Sequence, residues 1–569
     1  MYTMKYVFPL LVWLLSMPLV VIGQIKKLIP GKEIHSKLMA GKHDKYAIKL
    51  KKGEYATCVV MQEGVDVAID IYSPIFKLIK SFDSPNGQNG PEPVSFVADT
   101  TGVYLMDIYP TKVPEGMPEA DRKAMDSINQ GNYSIQSYKI LSVSAYAAQL
   151  ASEKVELEKL KKCLYDKAHP IKTVEAGNGF DDLQAFKNIL KDATVVGLGE
   201  ATHGTSEFFK MKHRMLEFLV KEMGFCSFYI EASMSRCRYI NDYVLYGKGN
   251  LDTATAMQGF VTWRVDEVRD MIEWLRLYNK DQEVGKRVKF LGYDLQINDV
   301  AWRGLHDFYR KVKPDNLILL DTLESQLLHA AQLSNLQDKN AEGMKLYTQA
   351  YKQCIGIHKD IESQKVKYIS AMGESGYDEN LMNITLIIQE IESYKDGFNN
   401  KRDIYMAHNI LYLLRKEKKG GKVVVWAHND HISIANQFDF TNMGMVLKDS
   451  LKDKYYAIGF EFYTGSFQSR NIDLKNTSSD WDVNTIGTPP ENSLPYYLNN
   501  TGKDMLYLDY HSMGSLRNFS KTLDMHSVGS MYSASSPTVY PATLKNFDGL
   551  IYIKNSTAAK NFKKVKLRN

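Results

Sequence analysis

Two kinds of hydrophobic pattern follow one another along the chain. Between about residues 28 and 142, apolar and polar positions alternate in short runs, at 44–50, 56–61, 66–72, 94–98, 102–108 and 131–138. These runs are rich in Val, Ile, Tyr and Thr, and turn clusters such as Ser84-Pro-Asn-Gly-Gln-Asn-Gly-Pro separate them. A period of two broken by turn residues predicts strands, and several short strands at regular spacing predict an antiparallel β-sandwich. Residues 145–164 then read as a helix whose polar face carries Glu153, Lys154, Glu156, Glu158, Lys159, Lys161 and Lys162. A charge run of this kind is a solvated linker helix, so the domain boundary is expected within 145–169.

After Pro170 the period changes. Strand-like apolar runs at 193–198, 227–230, 288–291, 423–426, 457–460, 505–508 and 550–553 alternate with helical patterns at 206–223, 234–246, 265–278 and 403–416. That alternation predicts an α/β domain over 170–569, with a mostly parallel central sheet covered on both faces. Between 302 and 394 no strand pattern occurs, and the runs around 317–333 and 342–364 predict a helical insertion covering one edge of the site.

The fold class is therefore multidomain: a β-sandwich over 24–144, a linker helix and an α/β domain. A chain of 569 residues exceeds one ordinary hydrophobic core, which agrees. Hydrophobic content of 44% and charged content of 24% are those of globular protein. A net charge of +5 without a basic stripe argues against nucleic acid as a partner. Residues 1–23 carry Lys5, an apolar run and a terminal Gly23, the pattern of a cleaved signal peptide. Export to the periplasm or the exterior is expected, with membrane attachment only if that leader is retained. Five cysteines are too few for a disulfide scaffold, although Cys226 and Cys237 flank a strand and could pair.

The chemistry collects at strand ends, where α/β sheets place their sites. In the stretch TVVGLGEATHGTSEFF, Glu200 and His203 follow the first strand of the domain, before a helix marked by Phe208, Met211, Met215, Phe218 and Leu219. Glu231 ends the second strand, and Asp294 with Gln296 the third. His428 and His431 follow the fourth in VWAHNDHI, Glu461 the fifth, and Asp509 with His511 the sixth. If the strands are parallel, all of these gather at one end of the sheet. Several carboxylates and imidazoles packed together perturb one another's proton affinity, which costs stability and marks a site.

The motifs GLGEATHGTSEFF, GFCSFYIEAS, NDYVLYGKG, DMIEWLRLYN, FLGYDLQ, RDIYMAHN, VVVWAHNDHI and FDGLIYI, in that order from Gly197 to Ile553, resemble the erythromycin esterase family. The first domain resembles the pre-peptidase C-terminal type of β-sandwich, an accessory module of secreted enzymes. The esterase resemblance implies hydrolysis of an ester, in its best-known members a macrolide lactone. It implies His203 as general base with Glu200 beside it, and Glu231, His428 and His431 as further catalytic groups. It also implies a basic side chain early in the helix after the first motif, for which Lys212 and Arg214 are both candidates. Trp263, Asp294 and Gln296 are expected at the substrate.

No G-x-S-x-G elbow is present, and Cys226 precedes its strand, so direct attack by water is expected. A small ester or lactone would be the partner and no cofactor is required. Two other readings use the same residues. Glu200, His203, Glu231, His428 and His431 could ligate zinc or another divalent ion, or the 35 tyrosines could serve a secreted glycan- or peptide-binding protein without catalysis.

Overall fold

A computed structural model describes residues 25–84, 88–111, 129–336, 341–395, 398–435, 441–471, 481–519, 521–534 and 537–562. The expected leader at 1–23 and part of the turn after Ser84 lie outside them. The chain divides into two compact units, residues 1–157 and 158–569.

The first unit holds two sheets. Strands β1 (Lys26–Lys27), β3 (Asp44–Leu50), β8 (Gly102–Pro110), β5 (Val67–Tyr72) and β6 (Leu78–Phe82) form one, in that spatial order. Strands β2 (Ile34–Leu38), β9 (Gly131–Leu141), β4 (Tyr55–Glu63) and β7 (Asn89–Val97) form the other. Alternate residues of both, Ile48, Val60, Ile69, Tyr104 and Ile135 among them, share one buried cluster. The alternation read in the sequence is thus the alternation of core and outer faces. Helix α1 (Val143–Lys167) follows, carrying exposed pairs such as Lys162 with Asp166. His169, expected in the linker, joins Pro170 in the short strand β10 (His169–Pro170) on the edge of the next sheet.

That sheet belongs to the second unit. Its spatial order is β10, β17 (Met505–Asp509), β21 (Gly549–Ser556), β15 (Tyr455–Asn471), β11 (Val195–Leu198), β14 (Lys422–Trp426), β12 (Phe225–Ser233), β13 (Lys289–Asp294). Strands β11 to β15 and β21 pair in parallel, whereas β17 runs antiparallel to β21. Strand β16 (Trp481–Ile486) and β19 (Met531–Tyr532) extend the far end of β15, and β18 (Leu523–His526) pairs with β20 (Val539–Ala542).

Helices α2 (Ser206–Met223), α3 (Cys237–Tyr246) and α4 (Asp266–Lys280) bury Phe208, Met215, Val244 and Met271 in the same cluster as Val196, Phe228 and Trp426 of the sheet. The helical segment is longer than its expected bounds of 302–394. It comprises α5 (Asp299–Val312), α6 (Leu317–Leu336), α7 (Ala341–Ser363), α8 (Lys365–Lys395, broken at Gly373) and α9 (Phe398–Lys416). Leu305, Leu323, Ile361 and Ile387 give it a second apolar cluster of its own.

Register fixes where the chemistry falls. Leu198 pairs with both Trp426 and Ile458, and Ile230 with both Trp426 and Gly292. Residues just past this row, on five adjacent strands, meet at one level of the carboxyl end.

Candidate active site

The turn after β11 is built from close approaches. A side chain at Gly199 would meet Asn429 Oδ1 at 2.2 Å, and one at Gly204 would meet the Gln468 carbonyl at 2.0 Å, so both positions require glycine. Asn429 fills the space left at Gly199. Its side chain donates to the Phe460 carbonyl (2.7 Å) and accepts from the Phe460 amide (3.0 Å), while its own amide donates to the Glu200 carbonyl (2.9 Å). The Glu200 turn is thereby locked to β15 and to the His428 loop.

Glu200 is fully buried and spans two partners. Oε1 accepts from His203 Nδ1 at 2.6 Å, and Oε2 accepts from Lys212 Nζ at 2.7 Å. The Nδ1 contact fixes the ring so that Nε2 is the nitrogen left for chemistry; it has no hydrogen-bond partner among the described residues. Lys212 is wholly buried, its ammonium 4.2 Å from the Trp426 ring centroid. Burial lowers its pKa to about 8 against the opposing charge of Glu200.

Of the two basic candidates, only Lys212 reaches this cluster. Arg214 points away: its guanidinium pairs with Asp182 (2.5 and 3.0 Å) and donates to the carbonyls of Thr173 and Gly179. Residues two apart on a helix lie on different faces, which is why both cannot serve the site.

Glu231 has three partners: Arg402 Nη2 (2.8 Å), His431 Nε2 (3.2 Å) and the His428 amide (3.0 Å). Burial alone would raise its carboxyl, but His431 and Arg402 outweigh burial and hold it well below the usual carboxylate range. Asp294, expected at the substrate, does not line the cavity. It is fully buried and holds Arg402 from behind (2.7 Å), while its other oxygen accepts from the Gln296 amide.

His431 Nδ1 lies 2.8 Å from Asp403, itself fixed by the Met443 amide. A neutral ring could accept from Arg402 Nη1 at Nε2 (3.2 Å), and a protonated ring donates there to Glu231. Burial disfavours the charge, yet two carboxylates against one guanidinium raise this imidazole well above its ordinary value, so the protonated form prevails. Both of its nitrogens then face carboxylates, Asp403 and Glu231.

His428 differs. Nδ1 lies 3.3 Å from Asp430 Oδ2, which also accepts from Ser527 (2.7 Å). Burial would lower its pKa, but Asp430 prevails and raises it. Nε2 is buried without a hydrogen-bond partner among the described residues, and the ring centroid lies 5.0 Å from that of His203.

These groups surround a cavity of about 650 Å³ whose lining includes His203, Glu231, Arg402, His428 and His431, with Phe260, Trp263, Gln296 and Met531 beside them. Trp263 meets the His203 ring edge-on at 5.4 Å and donates to the Glu231 carbonyl (3.1 Å). Arg402, Asp403 and Asp430 escaped the sequence reading. Arg402 and Asp403 open the RDIYMAHN motif near the start of α9, and the charge run Lys401-Arg402-Asp403 was the available signal.

Glu461 is buried at the same end of the sheet but accepts from His526 (2.7 Å) and does not line the cavity. Asp509 and His511 are at the opposite end, because β17 runs antiparallel and Asp509 pairs with Gly549 at the start of β21. His511 there joins Lys448 and Arg517 around Asp548. All five cysteines are free, so Cys226 and Cys237 do not pair.

Of the five candidate metal ligands, Glu200, Glu231 and His431 are engaged with one another's neighbours and with cations, and among the described residues His203 and His428 each keep a single unengaged nitrogen. Lys212 and Arg402 occupy the carboxylates, and the His431 nitrogens face Asp403 and Glu231. Among the described residues no three ligating side chains converge to hold an ion. This donor set does not fit a divalent cation.

The family model described as erythromycin esterase matches residues 220–556, beginning downstream of His203. An erythromycin esterase type II of Escherichia coli is 24% identical over 424 residues, 69% of this chain and 97% of the relative. A putative hydrolase of Bacillus subtilis (strain 168), YbfO, is 23% identical over 372 residues, 60% of this chain and 79% of the relative. A solved protein from Bacillus cereus has a TM-score of 0.61 at 24% identity, covering 71% of this chain and 99% of its own. A mutant of the erythromycin esterase EreC in its open conformation gives 0.51 at 15% identity, covering 68% and 95%. At such identities the solved structures speak for the fold.

Proposed function

We propose, since this chain belongs to the erythromycin esterase family, that it opens an ester or lactone by direct attack of water with His203 as general base. Membership makes it an esterase-type hydrolase; the mechanism and substrate are our reading. The observation that carries the reading is the pair of imidazoles facing one cavity, His203 anchored by Glu200 and His428 by Asp430, with both Nε2 atoms unengaged.

The two rings divide the work. Glu200 accepts the Nδ1 proton of His203, so its Nε2 lone pair takes a proton from water as the water adds to the carbonyl carbon. Asp430 favours the protonated form of His428, whose Nε2–H stabilises the developing oxyanion or protonates the leaving alkoxide. Glu231 stays ionised and holds Arg402 and His431 in place. Ser530 and Thr262 line the cavity, but among the described residues neither is hydrogen-bonded to an imidazole, which favours water over an activated hydroxyl. The cavity falls within the roughly 300–1,000 Å³ of small-molecule sites and has apolar walls at Phe260, Trp263 and Met531, which suits a macrolide lactone. The apolar leader supports export to the periplasm or the exterior as part of this reading.

Hydrolysis of a macrolide in ¹⁸O-water, with a chelator arm, tests this. One ¹⁸O in the product carboxylate and turnover insensitive to chelator are expected. Loss of turnover on chelation that a divalent ion restores would replace the mechanism with a metal-activated one, and depletion of macrolide without a heavier product would leave only binding.

A further inference from the structure

The N-terminal unit carries a second cavity, about 410 Å³, on the outer face of its five-stranded sheet. Val67, Ile69 and Ile71 of β5 point into the core, so Ala68, Asp70 and Tyr72 point outward. Ala68 forms the floor, and His43, Asp70, Tyr72, Asp83 and Tyr109 stand around it.

Asp70 of β5 pairs directly with Asp107 of β8, so two like charges face each other across the middle of the sheet. Both are largely buried, at 9% and 6% exposure. Like charges directly opposite destabilise an antiparallel pair, and a β-sandwich gains nothing by placing them there. Asp107 is compensated by His43 Nδ1 at 3.0 Å and by Lys45 at 3.8 Å. Asp70 is not: among the described residues its oxygens accept only from the neutral hydroxyls of Ser81 (2.6 Å), Tyr72 (3.1 Å) and Tyr109 (3.1 Å). Those donors orient the carboxylate and leave its charge in place. Asp83 has no cation beside it among the described residues, and nearby Asp66 has a buried oxygen without a partner.

Aromatic rings form the walls. His43 and Tyr109 stack at 4.9 Å and 23°, with Tyr72 alongside. Carboxylates beneath aromatic faces suit a cation with C–H bonds, since the ring quadrupole attracts its charge and the ring face packs against its carbon frame. A bare metal ion fits poorly, because among the described residues no group of three ligating side chains converges.

We propose that this cavity binds an organic ammonium group, carried by an amino sugar or a lysine side chain, with the nitrogen at Asp70 and its carbon frame against Tyr109 and Tyr72. The site is separate from the esterase reading and does not depend on it. The ammonium supplies a positive charge that no described residue gives Asp70.

Titration calorimetry of the full chain tests this with glucosamine, Nα-acetyllysine methylamide and, as the uncharged control, N-acetylglucosamine. Saturable binding of at least one amine is expected, weakened at least about tenfold by Asp70→Asn and by Asp83→Asn, as loss of a carboxylate partner to a cation requires. Asp70→Asn removes the repulsion from Asp107 and Asp83 is exposed, so both variants fold and hydrolyse ester as the parent does. The amine that binds tighter identifies the carrier. Failure of both amines to saturate, affinities unchanged in both variants, or N-acetylglucosamine binding as tightly as glucosamine would overturn the proposal.

Discussion

Lys212 sits where two opposing effects on one charge meet: complete burial, which favours the neutral amine, and Glu200, which favours the ammonium. Burial wins in part and the group titrates at about 8, so rising pH removes the charged donor that fixes Glu200 against His203. The expected outcome is an alkaline fall in kcat/KM near that value, abolished in Lys212→Arg because guanidinium does not titrate there. A fall that persists unchanged in the arginine variant would assign it to another group. Arg214 gives the contrast, since its partners are Asp182 and two backbone carbonyls. Arg214→Met leaves Asp182 nearly buried and uncompensated, at a cost of about 3–5 kcal/mol by thermal unfolding, with kcat of the folded fraction preserved. Glu200, His203, Glu231, His428 and His431 were legible because each stands within a few residues of a strand end. Asp430 was hidden between the two histidines it separates, and sequence carries no sign of which carboxylate faces which ring.

At the scale of elements, α9 delivers Arg402 and Asp403 into a cluster otherwise supplied by strand ends, the loops after them and Lys212 of α2. Arg402 neutralises Glu231 and Asp294, so Arg402→Met should cost about 3–5 kcal/mol in unfolding experiments and reduce turnover with it. The pH sign follows from the directions of the shifts. Glu231 is depressed, so its contribution to stability is present above the unfolded carboxylate range and is lost as pH falls through its lowered value. His431 is raised, so its contribution is present below the unfolded imidazole value and is lost as pH rises through its elevated one. Stability should therefore plateau between those limits; in Arg402→Met the acid limit moves up because Glu231 loses a cation, and the alkaline limit moves up because His431 loses a like-charged neighbour, which melting temperature against pH measures. A strand-end rule finds loop residues and misses a helix that approaches from a long insertion, which explains the omission of α9. The same rule misplaced Asp509 and His511, because strand direction follows from pairing and not from the apolar run itself.

At the scale of the whole molecule, the change of hydrophobic period near Pro170 marked the shift from sandwich to α/β architecture, since periods of two and 3.6 bury different faces. The two units have separate apolar clusters. Calorimetry should accordingly resolve two transitions, of which Arg402→Met lowers only that of residues 158–569 and Asp70→Asn alters only the other. A single transition shifted by both variants would contradict that separation. The convergence of seven distant segments on one cavity is the feature that composition could not reveal, and the proposed mechanism hangs on one ring within it. The most direct measurement is turnover of an ester or lactone by purified His203→Asn, alongside its melting temperature. A loss of roughly two to four orders of magnitude in kcat with melting unchanged is predicted; turnover equal to that of the parent enzyme would contradict the general-base role of His203.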